Sequence, residues 1–313
     1  MRIALLAATH RGLAVLRRLH ALAPAADFSI FSFREEPWEP PFLDTIREET
    51  ERIGGTFFET RKIGADRPAG FWDTVPVDLI LAVSWRYMIP PEIYGRAKLG
   101  AFVFHDSLLP AYRGFAPTAW AVINGEDHTG VTLFEISPDV DAGDIVDQRR
   151  VAIGPDETMS TIIERVTVAY MELLEKNLEA LLNGTSVRRP QDHTRATYTC
   201  RRTPEDGQIG WNRTTRDVLN LIRGASAPYP GAFSFIGPRK LTIWAAQAPI
   251  PARSYVGRVP GRVVEIRPGV GVVVLTADGS VLLTQVQAEG GPVVDAERVL
   301  NSLTITLGPR SAA

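Results

Sequence analysis

The chain is poor in cysteine, in net charge and in long apolar runs, and each shortage excludes something. A single cysteine, Cys200, among 313 residues rules out an internal disulfide and a cysteine-built metal site. That fits a reducing compartment and a cytoplasmic location. No nucleophile signature surrounds Cys200, so it reads as a small, half-buried residue. A net charge of -2 leaves no broad basic surface for nucleic acid or acidic lipid. No stretch reaches the ~18 apolar residues that span a bilayer. The opening MRIALLAATHRG carries an early arginine and an apolar run, but Thr9, His10 and Arg11 cut that run and no cleavage site follows. It therefore reads as a buried strand and not as a signal peptide. The loop AATHRG lacks the G-x-G-x-x-G pattern, so no NAD site is expected. Internal repeats and low-complexity tracts are also missing.

What is present suits an ordinary globular core: 45% hydrophobic and 22% charged residues over a length that suggests two domains. Short apolar runs alternate with helical spacing in the first half, as in a mostly parallel sheet covered by helices. Strands are expected at Ile3 to Ala7, Phe28 to Phe33, Val77 to Val83, Ala101 to Phe104, Thr132 to Ile136 and Ile145 to Ile153. Helices are expected at Leu13 to Leu22, Phe42 to Ile53 and, with the clearest period, Thr158 to Leu182. The fold class is α/β: a Rossmann-like domain over 1–184, a polar linker over 185–200, and a smaller domain over 201–313. In that last part a short helix at Trp211 to Ile222 precedes LTIWAAQ, GRVVEI, GVVVLT and SVLLTQVQ, with Asp278-Gly279 as a hairpin turn. Short strands joined by glycine turns suggest a small, OB-like β-barrel.

AFVFHDSLLPAYRG, residues 101 to 114, places His105 where an open α/β sheet carries its site, at the carboxyl end of a strand. Ser107, Tyr112 and Arg113 supply hydrogen-bonding groups in the loop that follows. A second loop, SPDVDAGD at 137–144, brings three acids near one another. A carboxylate beside His105 would orient the imidazole and give an acid/base group poised near neutrality. The same residues also suit a structural histidine and a simple turn. Calcium is not expected, because the twelve-position pattern and its final glutamate are absent.

FHDSLLPAYRGFAPTAWAVINGEDHTGVTLFEISPDVDAGDIV resembles the signature region of the 10-formyltetrahydrofolate-dependent formyltransferases, which include the methionyl-tRNA and sugar N-formyltransferases. H-x-SLLP-x-YRG, A-P-x-x-W, NGE, TGVT and D-x-GD occur in order. EDGQIGW and IRGASAPYPGAF extend the likeness through most of the chain. The resemblance implies transfer of formyl from 10-formyltetrahydrofolate, as co-substrate and with no metal, to an amine. It assigns catalytic roles to His105 and Asp141. The family's asparagine two residues before the histidine is Val103 here, whose side chain cannot donate a hydrogen bond. A backbone N–H, a side chain such as Arg113, or different chemistry would have to fill that place.

By the same analogy folate lies between the loop Ser84, Trp85, Arg86, Tyr87, Met88, Ile89 and the loop holding Asp139 and Val140. His10, Arg11, Ser107, Tyr112 and Arg113 are candidates to contact the acceptor. FREEPWEPPFLD, where tRNA-directed relatives carry a basic loop, is acidic and rich in proline, which disfavours tRNA. The leading acceptor is a small-molecule amine, a nucleotide-linked amino sugar, with an amino-acid or siderophore-type amine next. A folate-binding protein without efficient transfer, or a related one-carbon transferase, is the alternative. No membrane partner is expected, and a homodimer is compatible with the reading.

Overall fold

The computed structural model describes residues 1–64 and 67–310. The chain divides into two compact units. The first comprises Met1–Thr118, His128–Ala152 and Ile163–Arg201; the second comprises Ala119–Asp127, Ile153–Ile162 and the chain from Arg202 onward.

In chain order the elements through the first sheet are β1 (Arg2–Ala7), α1 (Thr9–Leu22), β2 (Asp27–Ser32), α2 (Leu43–Arg52), β3 (Thr56–Glu59), α3 (Arg67–Thr74), β4 (Leu79–Val83), α4 (Pro91–Tyr94) and β5 (Ala101–His105). They continue with β6 (Arg113–Gly114), α5 (Pro117–Ile123), β7 (His128–Glu135), β8 (Ile145–Ala152), α6 (Met159–Leu182) and β9 (Tyr198–Thr199). Seven strands form one sheet in the order β3-β2-β1-β4-β5-β7-β8. Pairing is parallel from β3 to β5, whereas β5–β7 and β7–β8 are antiparallel.

Ile3 to Ala7 and Leu79 to Val83 have at most 1% of their surface exposed, because β1 and β4 lie in mid-sheet with both faces covered. That burial explains their unbroken apolar sequence. The outermost β8 instead exposes Arg149 and Arg150. α1 starts four residues earlier than its apolar spacing suggests and buries Gly12, Val15, Leu16 and Leu19. α6 lies where its period places it and buries Ile162, Val166, Tyr170, Leu173 and Leu174 among others.

Residues 185–200 run along this unit. Ile145 and Arg189 exchange both backbone hydrogen bonds, at 2.8 and 2.9 Å. The two-residue β9 pairs in parallel with β6. Cys200, expected half-buried, is exposed just beyond β9.

The second unit holds α7 (Thr215–Gly224), β10 (Ala232–Ile236), β11 (Arg239–Gln247), β12 (Val263–Arg267), β13 (Gly271–Leu275), β14 (Ser280–Ala288) and β15 (Val293–Asp295). Its antiparallel sheet runs β10-β11-β14-β13-β12, with β15 on β14. The two end strands are joined through the segment 305–308: Gly308 bridges Phe235 of β10 and Thr306 bridges Arg262 beside β12. The sheet thus closes on itself around Trp211, Ile222, Ile243, Val263, Val274, Leu283 and Leu307. The helix expected from Trp211 begins only at Thr215. Thr214 and Asp217 form a capping box that fixes the start there. Trp211 is instead a core residue whose Nε1–H donates to Ser234 Oγ at 2.9 Å. No described helix is long and apolar enough to cross a membrane.

Candidate active site

Among the described residues, five that are not glycine have left-handed backbone: Thr9 (φ 62), Ser84 (φ 54), Tyr112 (φ 60), Ala116 (φ 49) and Asp141 (φ 50). Each such residue costs about 1–3 kcal/mol and persists only where its surroundings over-determine it. Thr9 opens α1 directly after β1, Ala116 lies between β6 and α5, and the other three lie on the loops that follow β4, β5 and β7. Thr9 and Ser84 join the start of α1 to the loop after β4 through their hydroxyls, 3.2 Å apart.

His105 is the last residue of β5 and is buried. Its Nε2 is 2.8 Å from the carbonyl oxygen of Tyr112. A carbonyl only accepts, so Nε2 carries a proton and the neutral ring keeps its lone pair on Nδ1. Asp141 Oδ2 lies 3.6 Å from that Nδ1 and also accepts the Gly114 N–H at 2.7 Å. Gly114 needs its φ of 100°, and a Cβ there would meet Thr199 O at 2.4 Å. The imidazole can therefore take a proton at Nδ1 beside a carboxylate held ready to stabilise the charge.

Asp141 reaches this place on the connection between β7 and β8. β7 runs opposite to β5 and pairs Glu135 with Phe102, so the chain leaves β7 at the start of β5. β8 begins beside the same end, where Ile145 pairs with Phe134, and between the two strands loop 136–144 makes the excursion that brings Asp141 to His105. Val103 shares a sheet face with His105, two residues on. It packs on Leu109, Phe134 and Ile145 on one side, and joins the cluster containing Trp85 and Ile136 on the other. Methyl groups thus stand where the resemblance implies an amide.

The opposite face holds a separate polar network. The Phe104 ring stacks on Tyr170 at 5.2 Å, and the Tyr170 hydroxyl donates to Asp106 Oδ1. Burial, followed by the Asp106 carboxylate, raises the Tyr170 pKa well above its usual value, so the phenol stays a donor. Arg11 Nη1 pairs with Asp106 Oδ2 at 2.7 Å. Asp106 is thereby turned to Tyr170 and Arg11. Desolvation and the adjacent Arg11 lower the pKa of the exposed His10.

On the loop after β4, Trp85 and Tyr87 pack edge-on against Phe33, with centroids 5.4 and 4.9 Å away. Arg86 lies over Phe33 and pairs with Glu39 at 2.8 Å. The Trp85 Nε1–H is buried with no hydrogen-bond partner among the described residues. Met88, Asp139 and Val140 are exposed. Ile89 is not on this surface; it is buried in the core under Ile93 and Trp72. A cavity of about 370 Å³ opens beside the same loop, lined by Arg61, Lys62, Ile63, Gly64, Tyr87, Met88, Pro90 and Glu92, and does not include His105.

Two sequence candidates are withdrawn from the surface. Ser107 is 3% exposed and donates to Ala111 O at 2.7 Å. Arg113 is 2% exposed; its Nη2 donates to Gln191 Oε1 at 2.7 Å and lies 3.0 Å from His193 Nδ1, while Nη1 reaches Tyr198 Oη at 3.2 Å. It does not stand in for the missing amide at Val103. Gln191, Thr197 and Thr199, which hold these loops, come from a polar stretch without periodicity, and nothing in the sequence singles them out.

Among solved structures, HypX from Aquifex aeolicus in complex with tetrahydrofolic acid matches all of this chain with 21% identity and a TM-score of 0.62. The match takes in 48% of that protein, so the chain spans about half the length of the HypX structures it resembles. WlaRD, a sugar 3N-formyl transferase in the presence of dTDP and 5-N-formyl-THF, is 16% identical with a TM-score of 0.63, over 93% of this chain and 99% of the other. A 4-N formyltransferase from Francisella tularensis is 17% identical with a TM-score of 0.60, over 74% of this chain and 91% of its own. At these identities the likeness establishes the fold. The formyl transferase family model matches residues 34–178, and the model of the formyl transferase C-terminal domain matches 201–304. The two matches follow one another in the expected order and take in most of the chain, which belongs to the formyl transferase family.

Proposed function

We propose that the protein transfers a formyl group from 10-formyltetrahydrofolate to the amine of a small molecule, with a nucleotide-linked amino sugar as the acceptor class. The observation that carries the reading is the pair of His105 Nδ1 and Asp141 Oδ2, set at 3.6 Å beside strained loops. The co-substrate supplies an activated carbonyl carbon. The acceptor nitrogen forms its bond to that carbon, the bond to the folate nitrogen breaks, and one proton passes from the amine to the departing nitrogen. His105 takes that proton at Nδ1 and returns it, and Asp141 stabilises the imidazolium between the two steps. Tyr112, through its carbonyl, keeps the ring in the orientation that points Nδ1 at the reacting groups.

Tetrahydrofolate suits the loops around this pair. The orphaned Trp85 Nε1–H offers a buried donor, and Met88 and Val140 offer exposed apolar surface. A small-molecule acceptor, as opposed to tRNA, is supported by loop 34–44, where Glu36 and Glu39 pair with Arg61 and Arg86 and so offset positive charge that a nucleic-acid backbone would use. The likeness to WlaRD, described in the presence of dTDP, supports the sugar-nucleotide class.

The test is incubation with 10-formyltetrahydrofolate and a panel of amines: nucleotide-linked amino sugars, amino acids and hydroxylamine-type siderophore precursors. Tetrahydrofolate release and a product heavier by one formyl group are expected for an amino sugar. Folate binding without turnover on any amine would sink the reading.

A further inference from the structure

We propose that Gln191 is a positioning residue that holds Asp141 in the backbone conformation aiming its carboxylate at His105. The kinetic consequence rests on the formyl-transfer reading; the geometric one does not.

Gln191 is 6% exposed, whereas the residues just after it, 192–195, are all exposed. Its carboxamide is fully committed. Nε2 donates to Asp141 O at 2.9 Å and to Gly143 O at 2.7 Å, and Oε1 accepts from Arg113 Nη2 at 2.7 Å. Arg113 is itself fixed by its backbone N–H on Thr197 O at 2.8 Å. One side chain therefore ties the loop after β5 to the loop after β7.

Asp141 needs such a tie. Its φ of 50° lies in the left-handed region, which aspartate enters more readily than most residues but at a cost that a restraint offsets. The Gly114 N–H restrains the carboxylate at 2.7 Å, and Gln191 restrains the backbone carbonyls on either side of the turn. Without the second restraint the residue relaxes to a right-handed or extended backbone. The carboxylate then swings away from His105 Nδ1 and from Gly114 together, since one oxygen serves both.

The chemistry of the contact gives a discriminating variant. Gln191→Glu has the same shape and still accepts from Arg113, now as an ion pair, so the loop after β5 stays anchored. It cannot donate to the two carbonyls and sets a negative oxygen against them. Gln191→Met, neutral and of similar length, serves as a second variant should the charge unfold the loop.

Two readouts separate positioning from mere folding, both on the full chain. The first is hydrogen exchange of the Gly114 backbone amide, followed by NMR, because that amide reports directly on the Asp141 carboxylate. Gln191→Glu is expected to speed its exchange by about 10-fold, with the amides of β7 unchanged. The second is steady-state kinetics. kcat is expected to fall about 10- to 100-fold, as for a misplaced catalytic group, with KM for the formyl donor nearly constant, and Gln191→Glu is expected to lower kcat no further once Asp141→Asn is present. Unchanged Gly114 exchange in a folded variant overturns the proposal. If the wild-type chain turns over no amine while Gln191→Glu still exposes the Gly114 amide, the formyl-transfer reading fails and the positioning role stands.

Discussion

In the second unit every described residue with left-handed backbone is a glycine, from Gly125 through Gly231, Gly237, Gly261, Gly269 and Gly271 to Gly290. Among the described residues of the first unit five are not, and two of them, Tyr112 and Asp141, meet His105 directly. Glycine adopts this conformation without steric penalty, so the second unit turns its chain at positions chosen for the turn alone. At Thr9, Ser84, Tyr112 and Asp141 the side chain or the carbonyl is put to use, and the backbone strain is tolerated for it. The comparison concentrates the non-glycine backbone strain in the unit that holds the proposed site.

The largest effect that would break this comparison belongs to His105. His105→Ala is expected to lower kcat/KM for formyl transfer by about 100- to 10,000-fold, the usual range for an acid/base group, while urea unfolding shows little change. A small kinetic effect would remove the first unit's strained loops from catalysis. Next comes the scaffold. At Gly261, with φ of 85°, a Cβ would meet Leu307 O at 2.0 Å. Gly261→Ala should therefore cost about 2–4 kcal/mol in denaturant unfolding, with single-turnover rates of the folded fraction unaltered.

Val103→Asn acts on both sides of the comparison. It places an amide donor on the His105 face and is expected to raise kcat about 10-fold, a fraction of what one oxyanion donor can supply. It also buries a polar group among Leu109, Phe134 and Ile145, lowering stability by about 1–3 kcal/mol. A fall in native turnover would show that Val103 serves a different reaction. The smallest effect is Ala116→Gly. It relieves a left-handed alanine (φ 49) and should raise the unfolding free energy by about 0.5–1 kcal/mol, read as a rise in melting temperature without loss of activity.

Much of the fold is legible because its signals are local. The apolar runs of β1 and β4 and the three-four spacing of α6 carry their own period. β3, TFFE, escaped because four residues at a sheet edge are too short to establish alternation. The start of α7 was misplaced because the apolar Trp211 outweighed the Thr214–Asp217 cap. The site was half legible. His105 and Asp141 stand out as residue types on loops, but Arg113 and Ser107 look equally available and are buried, and Ile89 belongs to the core.

The sequence by itself determined most of the strands and helices of the first sheet, that a histidine stands at the carboxyl end of the strand Ala101 to Phe104, and that no amide precedes it at Val103. These follow from spacing along a few neighbouring residues. The tertiary structure alone decided that β7 runs antiparallel to β5 and that loop 136–144 brings Asp141 to His105. It alone decided that Arg113 turns inward and that Gln191 bridges the two loops. Those contacts join residues 27, 78 and 50 positions apart. At such separations a partner is selected by the packing of the whole sheet, and its own neighbours in sequence bear no trace of the choice.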